Sequence, residues 1–367
     1  MHPAGAKPAG DPGHCWDTVA PRSGPVRRLE AVTPLDRVPD RTPVPAGTGL
    51  TLEDTVRQAP GDRPLPAVHA TREGFRAALA ARVRDVVASG VPEPTVGLVP
   101  TMGALHGGHA ALVRQARQEN DIVVASVFVN PLQFGDPADL ENYPRTLEAD
   151  RRVLGAEGCE LVLAPGLEEM YPGYPDAPIV TVSAGAMGQV LEGASRPGHF
   201  DGVCTVVAKL WHAAMPPAPA RLRSYFGQKD AQQLAVLRRM RADLDFDLEI
   251  RPVPLVRSPE GLALSSRNTR LSAEALRAAL VLHRALDTLR LAAEAGRPLD
   301  VDAAREMVRA EPLATLDYLE VVDHATLEPL GAAELAGPLE REALALVAAE
   351  FEPVRLIDNM VLPAASA

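Results

Sequence analysis

The chain has 367 residues, of which 46% are hydrophobic and 23% are charged, and its net charge is −11. The length predicts two domains, at about 100–200 residues per domain, and the apolar content excludes a protein that is disordered throughout. The acidic balance argues against a dedicated nucleic-acid-binding protein, and no run of 18 apolar residues predicts a membrane-spanning helix. Three widely spaced cysteines and no secretory signal favour a cytoplasmic protein without disulfides or a cysteine zinc site.

Residues 1–66 differ in composition from the remainder of the chain. They contain 12 of the 35 prolines, mixed with glycine and arginine, and show no apolar periodicity. This composition predicts a disordered or loosely extended region. We expect it to be dispensable.

Strands and helices alternate in the predicted first domain, residues 67–255. Thr71 precedes a helical pattern that continues to Val87, as an N-cap residue would. The predicted strands are Val96–Val99, Ile122–Val129, Leu161–Ala164, Ser224–Phe226 and Leu248–Val253, and the predicted helices are His109–Asn120, Leu147–Gly155, Gly202–Met215 and Asp230–Arg241. This alternation is typical of an α/β fold with a parallel sheet and right-handed crossovers.

The predicted second domain, residues 256–367, is smaller and of the α+β class. Ser272 begins a helix that reaches about Ala295, with Glu274 in its first turn. Strands are predicted near Leu316–Val322 and Ala343–Phe351.

The segment PTMGALHGGH, residues 100–109, lies between a buried strand and a helix. Free N–H groups at a helix N-terminus attract phosphate, and the glycines let backbone approach a ligand closely. His106 and His109 can both donate to phosphate oxygens. Two alternatives are a tight turn with incidental histidines and a metal site. No third ligand at zinc-like spacing lies nearby in the sequence, which argues against the metal site. The segment therefore favours nucleotide binding.

Two amides follow the long apolar strand in FVNPLQF, residues 128–134. Asn130 and Gln133 are placed where a strand meets the ligand crevice, and a neutral amide can hold a carboxylate or hydroxyl without quenching its nucleophilicity. Asn130 can alternatively cap the strand end. We predict both residues as substrate-binding.

Lysine is scarce, at three of 37 basic residues, and one of the three stands in FGQKDAQQ, residues 226–233. Lys229 is a point charge suited to phosphate, and Asp230 either caps the next helix or reaches a ribose hydroxyl. For Lys209, in an apolar helix, snorkelling is the better interpretation. The segment GLALSSRN, residues 261–268, adds two hydroxyls and a guanidinium as a second phosphate clamp.

These segments, with YPRT at 143–146 and RPGHFDGV at 196–203, resemble the motifs of pantoate–β-alanine ligases in order and spacing. The resemblance covers about residues 68–362. That family belongs to the HIGH-type nucleotidyltransferases, so the resemblance implies a Rossmann-like parallel sheet with helices on both faces. Residues 106–109 stand at the position of the HIGH motif, and residues 265–267 resemble the KMSKS loop. Two departures are the first 66 residues and Ala231, where the family usually has an aromatic residue.

The resemblance implies ATP-dependent condensation of (R)-pantoate with β-alanine through pantoyl adenylate, with release of pyrophosphate and AMP. It implies Mg²⁺ with the ATP, a homodimer, and Asp150 as a nearby carboxylate for the metal. It implies catalytic roles for His106, His109, Lys229 and Arg267, with His109 as proton donor, and pantoate contacts from Gln133 and Gln233. The ATP contacts that it implies are Met102, Gly103, Ala104, Leu105, His106, Gly107, Gly108, His109, Gly227, Gln228, Lys229, Asp230, Val256, Leu264, Ser265, Ser266 and Arg267.

Two other functions are weighed against this one. Another HIGH-type nucleotidyltransferase would act on a phosphate, but a phosphate acceptor would favour cations in place of Gln133 and Gln233. A nucleotide-binding module without catalysis is disfavoured because every expected polar residue is present. Residues 191–202 precede a buried helix and are either an active-site flap or an ordinary loop.

Overall fold

A computed structural model describes residues 63–135, 137–176, 178–352 and 354–365. The disorder predicted for residues 1–66 therefore falls almost wholly outside the described residues. The first group of strands, β1–β6, comprises Ala67–His69, Thr95–Thr101, Ile122–Val127, Leu161–Leu163, Arg221–Gly227 and Glu249–Val253. The helices among them, α1–α8, are Arg72–Ala88, Gly107–Glu119, Pro137–Glu141, Leu147–Ala156, Leu167–Met170, Glu192–Ser195, His199–Ala214 and Ala231–Asp243.

Strands β1–β6 form one parallel sheet in the order β1-β4-β3-β2-β5-β6. The central strand β3 is buried on both sides. Ile122 and Val124 pack in one apolar cluster with α1 and α7, whereas Val123 and Ala125 pack in another with α2 and α4. Helices thus cover both faces, which confirms the predicted fold class and explains the unbroken apolar run in β3.

The strand order places the ligand crevice. β2 lies between β3, which follows it in the chain, and β5, which comes after two further strands. This is the point at which the strand order reverses, and open α/β sheets bind ligands there, outside the carboxyl ends of the strands. Segments 101–109 and 227–230 follow β2 and β5, so the two predicted phosphate-binding segments lie at the same crevice.

The C-terminal part of the chain is a three-stranded antiparallel sheet with helices. Its strands β7–β9 are Thr315–Asp323, Ala343–Phe351 and Val354–Leu362, and its helices α9–α12 are Ala273–Ala278, Leu280–Glu294, Val301–Arg309 and Ala332–Leu335. The sheet order is β7-β8-β9, so β9 has one edge without a strand partner in the described part of the chain. This confirms a smaller α+β unit, while a domain boundary at residue 256 stays a prediction.

Several element bounds differ from the prediction for local reasons. Helix α2 begins at Gly107 rather than His109, because His106 takes the N-cap position. The helix predicted from Ser272 to Ala295 is divided at Ala279 into α9 and α10. Thr71 caps α1 as predicted, with its hydroxyl accepting from Gly74 N at 3.1 Å. Among the described helices, none combines the length and the hydropathy that a membrane span requires.

Candidate active site

Two histidine rings lie against each other at the N-terminus of α2. Gly108 N donates to His106 Nδ1 at 3.1 Å, and His106 N donates to His109 Nδ1 at 3.3 Å. The ring centroids are 4.3 Å apart. Because each Nδ1 accepts a hydrogen bond, these contacts assign the proton of each neutral ring to Nε2. Both Nε2–H groups are thus donors suited to an anion.

Burial controls the charge of this histidine pair. It lowers the pKa of His109 to about 3, with His106 adding a smaller effect, and burial together with Lys229 lowers the pKa of His106. Both rings are therefore neutral at pH 7. Negative charge brought by a phosphate would raise both pKa values, because an opposite charge favours the protonated form.

Asp150 fixes the loop that precedes the histidines. Its carboxylate is 2% exposed and accepts from Ala104 N at 3.2 Å, from Leu105 N at 2.8 Å and from the Thr146 hydroxyl at 3.3 Å. The loop includes left-handed backbone at Gly103 (φ 88°) and Ala104 (φ 52°). Both oxygens of Asp150 are thus engaged in supporting the loop, and its role as a magnesium ligand stays a prediction; the described residues contain no group of three His, Cys, Asp or Glu side chains that could hold a metal ion.

Lys229 lies opposite the histidines, after β5. Its side chain is 23% exposed, and its Nζ is 3.8 Å from Asp230 Oδ1. Asp230 stands at the start of α8 but makes no side-chain cap hydrogen bond. Of the two predicted roles for Asp230, capping is thus not realised. Ala231 packs in an apolar cluster with Leu344 and Leu346 of the small sheet.

Gln133 and Asn130 have different surroundings. Asn130 is fully buried; its Nδ2 donates to Gln133 Oε1 at 2.9 Å and to Gly202 O at 3.1 Å, and its Oδ1 accepts from the Tyr171 hydroxyl at 2.8 Å. These contacts engage both ends of the Asn130 amide inside the protein. Its strand-end capping is also realised, because Oδ1 accepts from Leu132 N at 3.3 Å. The structure therefore places Asn130 behind Gln133, as a support for it.

The cleft beside Lys229 also contains Arg196 and His199, which lie in the motif at 196–203 but are not among the predicted site residues. Arg196 Nη2 donates to the backbone oxygen of Gln133 at 3.2 Å, and His199 Nδ1 lies 2.9 Å from the same oxygen. Burial lowers the pKa of His199 to about 4. The cleft is lined by Glu192, Arg196, His199, Phe200, Lys229, Asp230, Ala231, Gln232, Gln233, Arg267, Tyr318, Leu346, Ile357, Asp358 and Asn359.

Residues 191–202, predicted as a flap or an ordinary loop, are tied to the small sheet. Tyr318 donates its hydroxyl to Glu192 Oε1 at 2.9 Å, and Arg355 binds both Glu192 oxygens at 2.7 and 2.8 Å. Gln232 also fixes this segment by accepting from Glu192 N at 2.9 Å. The segment therefore forms a wall of the cleft, with Arg196 and His199 facing the site.

The second predicted phosphate clamp borders the same cleft. Ser265 caps a 3-10 helix, Ser266–Arg270, by accepting from Arg267 N at 3.3 Å. Arg267 and Lys229 line one cavity together with Ser265. Val256 and Leu264 are paired through their backbone at 2.9 Å and support this segment from below. For Ser266 the structure describes the backbone alone, so its predicted ATP contact lies outside the described side chains.

Comparisons with known proteins show the family of this chain. A family model described as pantoate-beta-alanine ligase matches residues 75–361. The pantothenate synthetase of Paenarthrobacter aurescens is 57% identical over 272 residues, which are 72% of this chain and 92% of that protein. The crystal structure of a pantothenate synthetase from Thermus thermophilus matches at a TM-score of 0.68 and 46% identity, covering 80% of this chain and 98% of that one.

A further solved structure was determined with ligands. The pantoate-beta-alanine ligase of Francisella tularensis, complexed with beta-gamma ATP and beta-alanine, matches at a TM-score of 0.61 and 29% identity. The match covers 81% of this chain and 97% of that structure. With the family model spanning nearly all of both sheets and the relatives covered almost end to end, this chain belongs to the pantoate–β-alanine ligase family.

Proposed function

We propose that this enzyme, an ATP-dependent pantoate–β-alanine ligase, forms pantoyl adenylate in the cleft at the carboxyl ends of β2 and β5. The observation that carries the assignment is the convergence of two neutral histidine donors with Lys229 at the point where the strand order reverses. Arg267 and the two glutamines, Gln133 and Gln233, complete the set of groups at or behind the cleft.

Adenylation is the step that needs the cations. The pantoate carboxylate attacks the α-phosphorus of ATP, a new C–O–P linkage forms, and pyrophosphate leaves with the electrons of the broken P–O bond. Lys229 and Arg267 offset the charge on the phosphates, and the Nε2–H groups of His106 and His109 donate to phosphate oxygens. As charge accumulates beside His109, its pKa rises and proton donation becomes possible.

Amide formation needs neutral contacts and a dry site. The amine of β-alanine attacks the acyl carbon of pantoyl adenylate, AMP leaves, and the amine loses a proton. Gln133 and Gln233, whose neutral amides leave the pantoate carboxylate nucleophilic in the adenylation step, hold the pantoyl group while the amine attacks, and Asn130 orients Gln133 from behind. Much of the rate then comes from alignment of the reactants and from exclusion of water from the acyl adenylate.

The proposal also includes Mg²⁺, a homodimer and a cytoplasmic location. Mg²⁺ is usually bound by substrate phosphates and few protein carboxylates, so we assign it to the triphosphate rather than to Asp150. A reducing compartment agrees with Cys159 and Cys204, which are buried and unpaired in the described structure. Sedimentation of the purified protein tests the dimer.

Lys229→Ala tests the assignment of the adenylation site. We expect pantoate-dependent exchange of pyrophosphate into ATP to fall by at least about 100-fold, because a charge directed at the transferring phosphate is lost. Arg239→Ala, on the helix that follows Lys229, is the matched control; Arg239 is exposed and paired with Asp243, so the variant should retain full exchange. Near-normal exchange in Lys229→Ala would refute the assignment.

A coupled assay for AMP, with pantoate, β-alanine or ATP omitted in turn, tests the overall reaction. AMP should require all three substrates. A different HIGH-type nucleotidyltransferase would release no AMP in response to β-alanine, and a module without catalysis would bind ATP and release no pyrophosphate with pantoate.

A further inference from the structure

Asn359, on the edge strand β9, is bonded to the backbone of the lysine segment. Its side chain is 7% exposed, and its Nδ2 donates to Gln228 O at 2.9 Å and to Lys229 O at 2.8 Å. Both protons of one amide nitrogen are thus used on two successive carbonyl groups. Among uncharged side chains, only an amide supplies such a pair of donors from one atom.

The lysine segment needs an external support of this kind. It is a single 3-10 turn, Gln228–Asp230, between β5 and α8. Neither that turn nor α8 has a side-chain N-cap hydrogen bond of its own. The backbone that carries Lys229 is therefore held at its carbonyl groups by a residue about 130 positions later in the chain.

The adjacent residue, Asp358, supports the second predicted phosphate-binding segment, residues 261–268, through Arg257. It is 3% exposed and binds Arg257 in bidentate fashion, at 2.7 and 2.9 Å. Arg257 donates to Gly261 O at 2.9 Å and pairs through an isolated bridge with Ala263. That turn leads directly into Ser265 and Arg267. Asn359 thus contacts the lysine segment directly, and its neighbour Asp358 reaches the second cation-bearing segment through Arg257.

We propose that Asn359 is a positioning residue for adenylation, which sets the place of Lys229 in the site while Asp358 sets that of the Ser265–Arg267 segment through Arg257. The proposal rests on the role of Lys229 in the proposed function. It makes the small antiparallel sheet part of the adenylation machinery, although Asn359 itself need not touch a substrate. The side chain acts through backbone geometry, so its loss should raise the KM for ATP more than the KM for pantoate.

Asn359→Leu tests this role, since leucine has a similar size and no donors. We expect roughly a tenfold weaker affinity for α,β-methylene ATP, measured by calorimetry, as two hydrogen bonds are lost. In exchange assays the KM for ATP should rise similarly, while the KM for pantoate stays within twofold. Asn359→Ala, which removes the donors without adding bulk, should give the same division between the two substrates.

Leu362→Ala is the control for loss of stability alone. Leu362 is fully buried in the same strand and packs in the apolar core of the C-terminal unit, so Tm should fall while the KM for ATP is unchanged. A comparable rise of the KM for ATP in this control would overturn the positioning role.

The double variant Lys229→Ala/Asn359→Leu provides the decisive comparison. If Asn359 acts through Lys229, adding Asn359→Leu to Lys229→Ala should change the affinity for the ATP analogue by less than about twofold. An equal effect in both backgrounds, or a normal affinity in Asn359→Leu alone, contradicts the inference. Normal exchange in Lys229→Ala would instead refute the proposed function, and with it the inference.

Discussion

At the scale of single residues, His106 and His109 prepare the site for a polyanion by remaining neutral. Burial opposes their protonation, and the hydrogen bonds to each Nδ1 leave the proton of each neutral ring on Nε2. A charged pair would attract phosphate more strongly but would cost free energy in the empty protein, because the rings are only 4.3 Å apart.

The lowered pKa of His109 makes the free energy of unfolding depend on pH. The folded-state pKa, about 3, lies below the ordinary value of 6.5, so the unfolded chain binds more protons between these values. Stability is therefore full above pH 6.5 and falls as pH decreases, by at most about 1.4 kcal/mol per pH unit for this group. Denaturant unfolding between pH 7 and 5 measures it.

His109→Gln should reduce the pH dependence of the free energy of unfolding. The control, His212→Gln on the exposed side of α7, should leave that dependence unchanged. An unchanged slope in His109→Gln would contradict the low pKa. Burial lowers the pKa of His199 to about 4, so it contributes in the same direction, and some slope should persist in either variant.

Tyr171→Phe tests the support behind Gln133. The variant removes the hydroxyl that donates to Asn130 Oδ1, and we expect about 0.5–1.5 kcal/mol lower stability, because this buried acceptor loses the shorter of its two hydrogen bonds and keeps the one from Leu132 N. The KM for pantoate should rise more than the KM for ATP, since Asn130 orients Gln133. Tyr174→Phe, on a ring packed against the same apolar cluster, is the control and should leave both KM values unchanged.

At the scale of elements, the approach of α7 to the 3-10 helix Pro131–Gln133 determines where Gln133 lies. A methyl group at Gly202 would overlap the carbonyl group of Leu132. Gly202→Ala should therefore lower Tm and raise the KM for pantoate, although alanine by itself favours a helix by about 1 kcal/mol. Gly337→Ala, at a position with open space, should change neither quantity. A stable, fully active Gly202→Ala would argue against this close packing.

The elements that sequence predicted are those with strong local signals. The apolar run of β3, the N-cap at Thr71 and the glycine-rich turn before α2 each carry their own signal, and the parallel sheet follows from their alternation. The sequence does not predict β1, because three partly exposed residues show no periodicity. It does not predict β9 either, because polar residues interrupt the apolar pattern of that strand.

The site divides in the same way. Lys229 and the histidines stand in contiguous motifs, so they were identifiable from sequence. Asn359 and Asp358 were not, because their role depends on contacts with residues about 100 or more positions away. For Asn130 the motif predicts substrate binding, because it shows that an amide follows a strand. It does not show that this amide already has hydrogen-bond partners inside the protein.

At the scale of the whole molecule, the protein is acidic and yet has a cleft suited to anions. Both are possible because several cationic side chains are gathered in that cleft. One cleft is lined by Lys229, Arg196 and Arg267. Burial lowers the pKa of Arg196, and the nearby charge of Arg267 lowers it further. Many other arginines are neutralised in ion pairs, such as Arg355 with Glu192 and Asp317. Two of the three carboxylates that line the same cleft, Glu192 and Asp358, are themselves paired with arginines, Arg355 and Arg257. The local field at the cleft can thus be positive in a chain with a net charge of −11.

Removal of residues 1–62 tests whether the N-terminal region takes part in the reaction. We expect unchanged exchange activity and an unchanged oligomeric state, because the family match begins at residue 75 and the described site residues lie beyond 100. A large loss of either would refute dispensability. Deletion through residue 66 should additionally lower Tm, since Pro66 O accepts from Arg151 and Pro66 packs close to Gly155.

The place of β9 in the chain has a consequence for the order of folding. The parallel sheet is complete by residue 253, and its core can form while β9 is still unpaired. Such an intermediate would already contain both histidines and Lys229, yet its lysine turn would lack the contacts from Asn359. The contacts from Asn359 can form only after β9 has joined the small sheet, so competence to bind ATP productively should appear only once that sheet is complete. A partly folded chain would then be unable to consume ATP.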